Sequence, residues 1–116
     1  MAELKIQIED EVCTDEVFDF AKEAQQCIEL YAKKNHDYGN SFDMGMEHIG
    51  ASYGLGRIYD KVNRLITLSK FDDIKKTAVV NESTEDTLRD LVCYAIMMIT
   101  FRKRQINKEQ QKINFE

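Results

Sequence analysis

Arg57, Asp60, Lys61 and Arg64 stand at i, i+3, i+4 and i+7, a spacing that puts four charged side chains on one face of a helix. Three cations around one carboxylate can grip a phosphate. Arg offers a planar fork to two oxygens, Lys a point charge, and Asp either orients an Arg or holds a metal. The same spacing also describes a solvated face with Arg57–Asp60 and Asp60–Arg64 ion pairs worth about 0.3–0.5 kcal/mol each.

A second pair of carboxylates, Asp86 and Asp90, lies one helical turn apart, with Tyr94 and Met97 continuing the line. Asp90 abuts the apolar run Leu91–Ile99, and a carboxylate in such surroundings must be paired or bind a metal. Two carboxylates at i and i+4 suit Mg2+, which takes oxygen ligands and shares its other positions with water and phosphate. Asp60, Asp86 and Asp90 are therefore the expected metal ligands, and Asp60, Lys61 and Asp90 the expected catalytic groups. The competing roles are a helix-start position for Asp86, where acids meet the helix dipole, and an ion pair with an Arg or Lys of another helix, Arg64 among them, for Asp90.

The segment Lys33-Lys34-Asn35-His36-Asp37-Tyr38-Gly39 brings cations, an acid and an aromatic to the end of a helix. Loops of this composition often contact ligands. Lys34 joins Arg57, Lys61 and Arg64 as an expected phosphate contact. Tyr38 is expected to stack on a base, with Asp37 beside it to meet the base or a metal shell. The plainer alternative is a C-terminal cap closed by Gly39. His36 and His48 have no HxxxH or HExxH context, and Gly54-x-Gly56 lacks the strand and third glycine of a dinucleotide fingerprint.

The elements that must position these residues are helical. One domain accommodates 116 residues, and 43% apolar with 32% charged residues is a globular composition. The longest apolar run falls far short of the roughly 20 residues of a membrane span, and the first residues do not read as a secretory signal, so the cytoplasm is the expected location. Cys13, Cys27 and Cys93 form no CxxC pair and read as reduced thiols. A net charge of -5 argues against binding long nucleic acids, which needs clustered cations that displace counterions.

Leu4, Ile6 and Ile8 alternate with polar residues, as in a short extended arm over 1–12. After Thr14, a plausible N-cap, apolar residues recur at helical spacing to near Asn35. A weaker helical stretch covers Met44 to Ile49, and a second clear helix starts at Leu55. Phe71 to Asn81 is ambiguous. Ser83 and Asp86 form an approximate capping box before a helix from Glu85 to about Arg104, whose apolar run predicts a buried central position. Residues 105–116 form a polar tail that frays or meets a partner chain. The expected fold is all-α, a small bundle of three to four main helices with an extended N-terminal arm. So much helix in so few residues also predicts a homo-oligomer, dimer or higher.

The order DYGNSF, GLGRIYDKVNRL, EDTLRDLVCYAIM resembles the nucleotide modification associated domain of phages and bacteria, over about Ala32 to Met98. The resemblance implies a helical domain of nucleotide metabolism or modification, with Asp37, Tyr38, Gly39, Arg57, Asp60, Lys61, Arg64, Leu65, Asp86 and Asp90 as its motif residues. More distantly, EDTLRDLVCYAIM is similar to the last metal-binding helix of MazG-like all-α nucleoside triphosphate pyrophosphohydrolases. Those enzymes hold Mg2+ with an ExxE and an ExxD helix. Here Glu82-x-x-Glu85 has no ExxD at the usual distance after it, and Asp86 and Asp90 are four apart instead of three.

The expectation that follows is a nucleotide-processing domain performing Mg2+-dependent phosphohydrolysis, in which the metal lowers the pKa of a bound water and offsets charge on the phosphoryl oxygens. The alternative is a non-catalytic module that sequesters a nucleotide or cyclic nucleotide, as a small phage protein could do to counter host defence signalling. A purely structural adaptor would instead make both polar faces ion pairs.

Overall fold

Thr14 lacks helical backbone angles, and its side chain accepts a hydrogen bond from the Val17 N–H at 3.3 Å, so the first helix starts where the N-cap signal places it. The computed structural model describes residues 3–72 and 78–115. Four helices follow in order: α1 (Asp15–Tyr38), α2 (Ser41–Ile49), α3 (Ala51–Asp72) and α4 (Ala78–Phe115). The chain is 85% helical and has no strand among the described residues, an all-α architecture as expected. Residues 3–9 form an arm without regular structure, closed by a turn in which the Val12 N–H donates to the Glu9 carbonyl at 3.0 Å.

Two glycines break the helical path. Gly39, at φ 67° between α1 and α2, and Gly50, at φ 100° between α2 and α3, occupy a region that side chains with a Cβ avoid. The Gly50 N–H also donates to the Met46 carbonyl at 2.9 Å, closing α2. The chain thus turns twice within twelve residues and lays α2 across α3. Two further glycines allow close packing: a Cβ on Gly45 would overlap the Tyr53 ring, and one on Gly54 would come within 2.9 Å of Met46 Sδ and 3.0 Å of Met98 Sδ.

α3 and α4 run antiparallel, with Gly54 near Met98 and the Arg64 Nε donating to Thr87 Oγ1 at 3.1 Å. α1 docks on the middle of α4 through Cys27 and Cys93, whose thiol meets the Cys27 carbonyl at 3.6 Å. At about 1.5 Å per residue the 38 residues of α4 span about 57 Å, which accounts for the 61 Å long dimension of the molecule.

Three expectations change. α4 begins at Ala78, so Ser83 lies inside the helix and does not cap it; once α3 and α4 pair, adding a helical residue costs less than starting a new helix. The polar tail continues α4 to Phe115, because its Lys, Gln and Glu are strong helix formers. The run Leu91–Ile99 is not buried on all sides: Val92, Ile96 and Ile99 are 43%, 51% and 55% exposed. Residues 73–77 of the ambiguous segment lie outside the described residues.

Candidate functional site

The turn at Gly39 leaves a cleft of about 440 Å³ between the end of α1, the start of α2, the first turns of α3 and the middle of α4. That volume is ordinary for a small-molecule site, about 300–1,000 Å³. Its apolar part is aromatic. Buried Phe42 packs against Tyr53, with ring centroids 5.8 Å apart and tilted by 52°, and against Tyr94 at 6.0 Å and 38°. Such offset, tilted contacts fix ring orientation. The Arg57 guanidinium lies over the Tyr53 ring at 5.2 Å from its centroid, a cation–π contact that preorganises the fork.

The charged part alternates in sign. Lys34 Nζ donates to Asp90 Oδ1 at 3.0 Å, and Lys61 Nζ stands 3.3 Å from Asp90 Oδ2, so one carboxylate ties α1, α3 and α4 together. Arg104 Nη2 meets Asp43 Oδ2 at 2.6 Å, joining α4 to the first turn of α2. The lining thus contains Lys34, Arg57 and Arg104 against Asp43 and Asp90. The cleft carries a local cation excess in a chain of net charge -5.

The N-terminus of α2 adds donors. Gly39, Asn40 and Ser41 line the cleft, and Asn40 gives no side-chain cap to the nine-residue helix. Backbone N–H groups of a helix start, with the positive end of the dipole, favour an anion.

Two titratable groups are shifted by this packing. Partial burial disfavours the Lys34 charge, but the hydrogen bond and charge of Asp90 outweigh it and hold the ammonium above its ordinary value. Burial, reinforced by the electrostatic influence of Cys27 and of the Asp90 carboxylate, pushes the Cys93 thiol up to about 11. Cys93 is a neutral lining group near pH 7 and lacks the thiolate that nucleophilic chemistry needs.

The sequence-derived site residues divide into three groups. Lys34, Arg57 and Asp90 line the cleft, and Lys61 reaches it through Asp90. Arg64 turns to Thr87 instead of the cleft, and Asp60 is exposed on α3, so the four-residue face of α3 is not gathered on the cleft. Asp37 is exposed beside His36, 3.5 Å from its Nδ1. Tyr38 ends α1, and its side chain lies outside the described ones. Asp86 pairs with Arg89 at 3.3 Å; Arg89 also meets Glu23 and Glu85.

The donor set for Mg2+ is not assembled. Among the described residues no three His, Cys, Asp or Glu side chains come together in a metal-sized group. Both Asp90 oxygens are taken by ammonium groups and Asp86 by a guanidinium. As they stand these residues fit anion binding by cations and do not fit a resident divalent ion.

Phe42, Tyr53, Asp43 and Arg104 are site residues that sequence spacing did not single out. Tyr53 and Arg57 at i and i+4 carried a usable signal, an aromatic under a cation on one helix face. Arg104 carried none, because it is 61 positions from Asp43 and only folding joins them.

The chain belongs to the nucleotide modification associated domain 1 family, whose model matches residues 34–101. That segment starts at Lys34 and contains every cleft cation named above except Arg104. No curated protein and no solved structure matches the chain, so the likeness to MazG-like enzymes rests on its sequence motif alone.

Proposed function

We propose that this member of the nucleotide modification associated domain 1 family binds a small phosphate-bearing nucleotide in the cleft between α1, α2, α3 and α4 and acts as a homo-oligomer. The observation that carries the reading is the juxtaposition of Lys34, Arg57 and Arg104 with the rings of Phe42, Tyr53 and Tyr94 around one cavity. A ligand that answers both halves has an anionic group and a flat π-surface. A nucleotide has both; inorganic phosphate has only the first.

In this reading the phosphate sits at the start of α2. Arg104 and Lys34 leave their carboxylates to meet it, and Arg57 supplies a fork braced on Tyr53. Tyr53 and Tyr94 offer faces to the base; base–aromatic stacking contributes about 1–3 kcal/mol. Asp90 pairs with Lys61 and Lys34 until the ligand competes for them. The family's name points to nucleotide chemistry of the same kind.

Binding without a resident metal is favoured over Mg2+-dependent hydrolysis, since Asp60, Asp86 and Asp90 form no three-carboxylate group and two of them are already paired with cations. The deciding experiment is thermal unfolding against nucleoside mono-, di- and triphosphates and cyclic nucleotides, in Mg2+ and in EDTA, with each ligand assayed for breakdown. A ligand that binds only the folded state raises Tm. A rise that survives EDTA with intact ligand supports the proposal. Consumption of ligand only with Mg2+ would replace it by phosphohydrolysis, and no rise with any nucleotide would refute it.

A further inference from the structure

The α3–α4 hairpin gives one flank to the cleft and leaves the other bare. On α3, Leu55, Tyr59, Val62 and Ile66 are spaced 4, 3 and 4 residues apart and are 39–65% exposed. On α4, Leu88, Val92, Ala95 and Ile99 repeat the same spacing and are also exposed, with Ile96 at the edge. At 100° per residue each line is turned about a quarter of a circle from the residues that join the two helices, such as Gly54 and Met98. On α3 the cleft residues Tyr53 and Arg57 take the opposite flank. Because the helices are antiparallel, both apolar lines fall on the same side of the hairpin.

Between Leu55 and Ile66 on α3 and between Leu88 and Ile99 on α4 this face carries no charge in a chain that is 32% charged, and Glu85, paired with Arg89, marks its end. The charged residues within 88–99, Arg89 and Asp90, are held away from it by Glu23 of α1 and by Lys34 and Lys61. The spacing is the d-a-d-a repeat of helices that pack knobs into holes, but here it points to solvent. Meanwhile the single chain has almost no interior: among described apolar side chains only Cys27, Phe42 and Met46 are buried.

The area tells the same story. A folded monomer of 13.5 kDa exposes about 6,500 Å² by size scaling, and this chain exposes 9,878 Å². The N-terminal arm and the α4 overhang account for part of the excess of about 3,400 Å². The excess is of the order of the roughly 1,000–2,500 Å² that each chain gives to an obligate homodimer.

We infer that a second copy of this chain covers the face, two α3–α4 hairpins meeting about a two-fold axis as a four-helix bundle. A charge-free apolar patch is self-complementary, as an isologous interface requires. The clefts then lie on the outer flanks, open to ligand.

The test is sedimentation equilibrium of the whole chain, wild type against Ala95→Glu and Phe20→Glu, with helical content followed by circular dichroism. Ala95 is a small exposed side chain in the single chain, so Glu there disturbs only a covering partner; Phe20 is 77% exposed on α1, outside the face. Wild type and Phe20→Glu are expected as at least two chains of 13.5 kDa, with self-association at least tenfold weaker in Ala95→Glu. Hydroxyl-radical footprinting of the wild type is independent of any variant: Tyr59, at 65% exposure in the single chain, should be protected while Phe20 is oxidised. A helical wild-type monomer at tens of micromolar, Ala95→Glu associating like the wild type, or Tyr59 oxidised as readily as Phe20 would overturn the inference.

Discussion

The Asp90 carboxylate lies 3.0 Å from the Lys34 ammonium, a contact that ties α4 to α1 across 56 positions of sequence at the wall of the cleft. The carboxylate is only 22% exposed while the lysine is 53% exposed, so solvent screens one side of the pair and its contribution to stability is modest. Its larger effect is to occupy a cation at the cleft wall, because Asp90 holds the Lys34 ammonium that an anion in the cleft would have to win from it.

Asp90→Asn therefore separates the two chemical readings. Removing the charge is expected to lower stability by about 1 kcal/mol and to leave nucleotide affinity unchanged or several-fold tighter, because Lys34 and Lys61 are released. A titration calorimetry measurement in EDTA checks this. A large loss of affinity would mean that Asp90 contacts the ligand or its metal directly.

Alkaline pH should weaken the fold through Cys93. Its folded pKa, about 11, is raised above the ordinary 9.0, so between those values the unfolded state has released a proton that the folded state keeps. Stability then falls as pH rises through that window and is unaffected by this group below it. Urea unfolding from pH 8 to 11 measures the slope; Cys93→Ala should flatten it. At pH 7.5 a thiol reagent should label exposed Cys13 and spare Cys93 in the folded protein.

Gly45→Ala puts a Cβ into the Tyr53 ring. Either α2 lifts or the ring swings, and overpacking of this kind costs about 1–3 kcal/mol. The expected result is a lower Tm together with weaker nucleotide binding, because Tyr53 supports Arg57. Gly56→Ala, where a Cβ meets nothing within 4 Å, should show neither effect.

The helices were largely legible in the sequence because their apolar periodicity and the Thr14 cap are local signals. The start of α4 was not, since the cap-like Ser83 and Asp86 pattern competes with a helix that propagates from Ala78 once α3 is beside it. Within the site, Lys34, Arg57 and Asp90 were readable from residue type and spacing. The need for a cationic partner at Asp90 was readable too; that the partners are Lys34 and Lys61, and that Arg64 goes to Thr87, depends on how three helices cross. The Asp60–Asp86–Asp90 grouping assumed that carboxylates on two helices face one another, whereas α3 and α4 meet through Lys61 and Arg64.

The central claim is that the cleft cations and aromatics together recognise a nucleotide. Its most direct measurement is calorimetric titration, in EDTA, of the nucleotide that raises Tm most and of its phosphate-free nucleoside, into wild type and Arg57→Ala. Charge-assisted hydrogen bonds contribute about 1.5–3 kcal/mol, so Arg57→Ala is expected to lose about tenfold or more in nucleotide affinity and little for the weakly bound nucleoside. Equal nucleotide affinity in the two proteins, or a nucleoside bound as tightly as the nucleotide, would contradict the account.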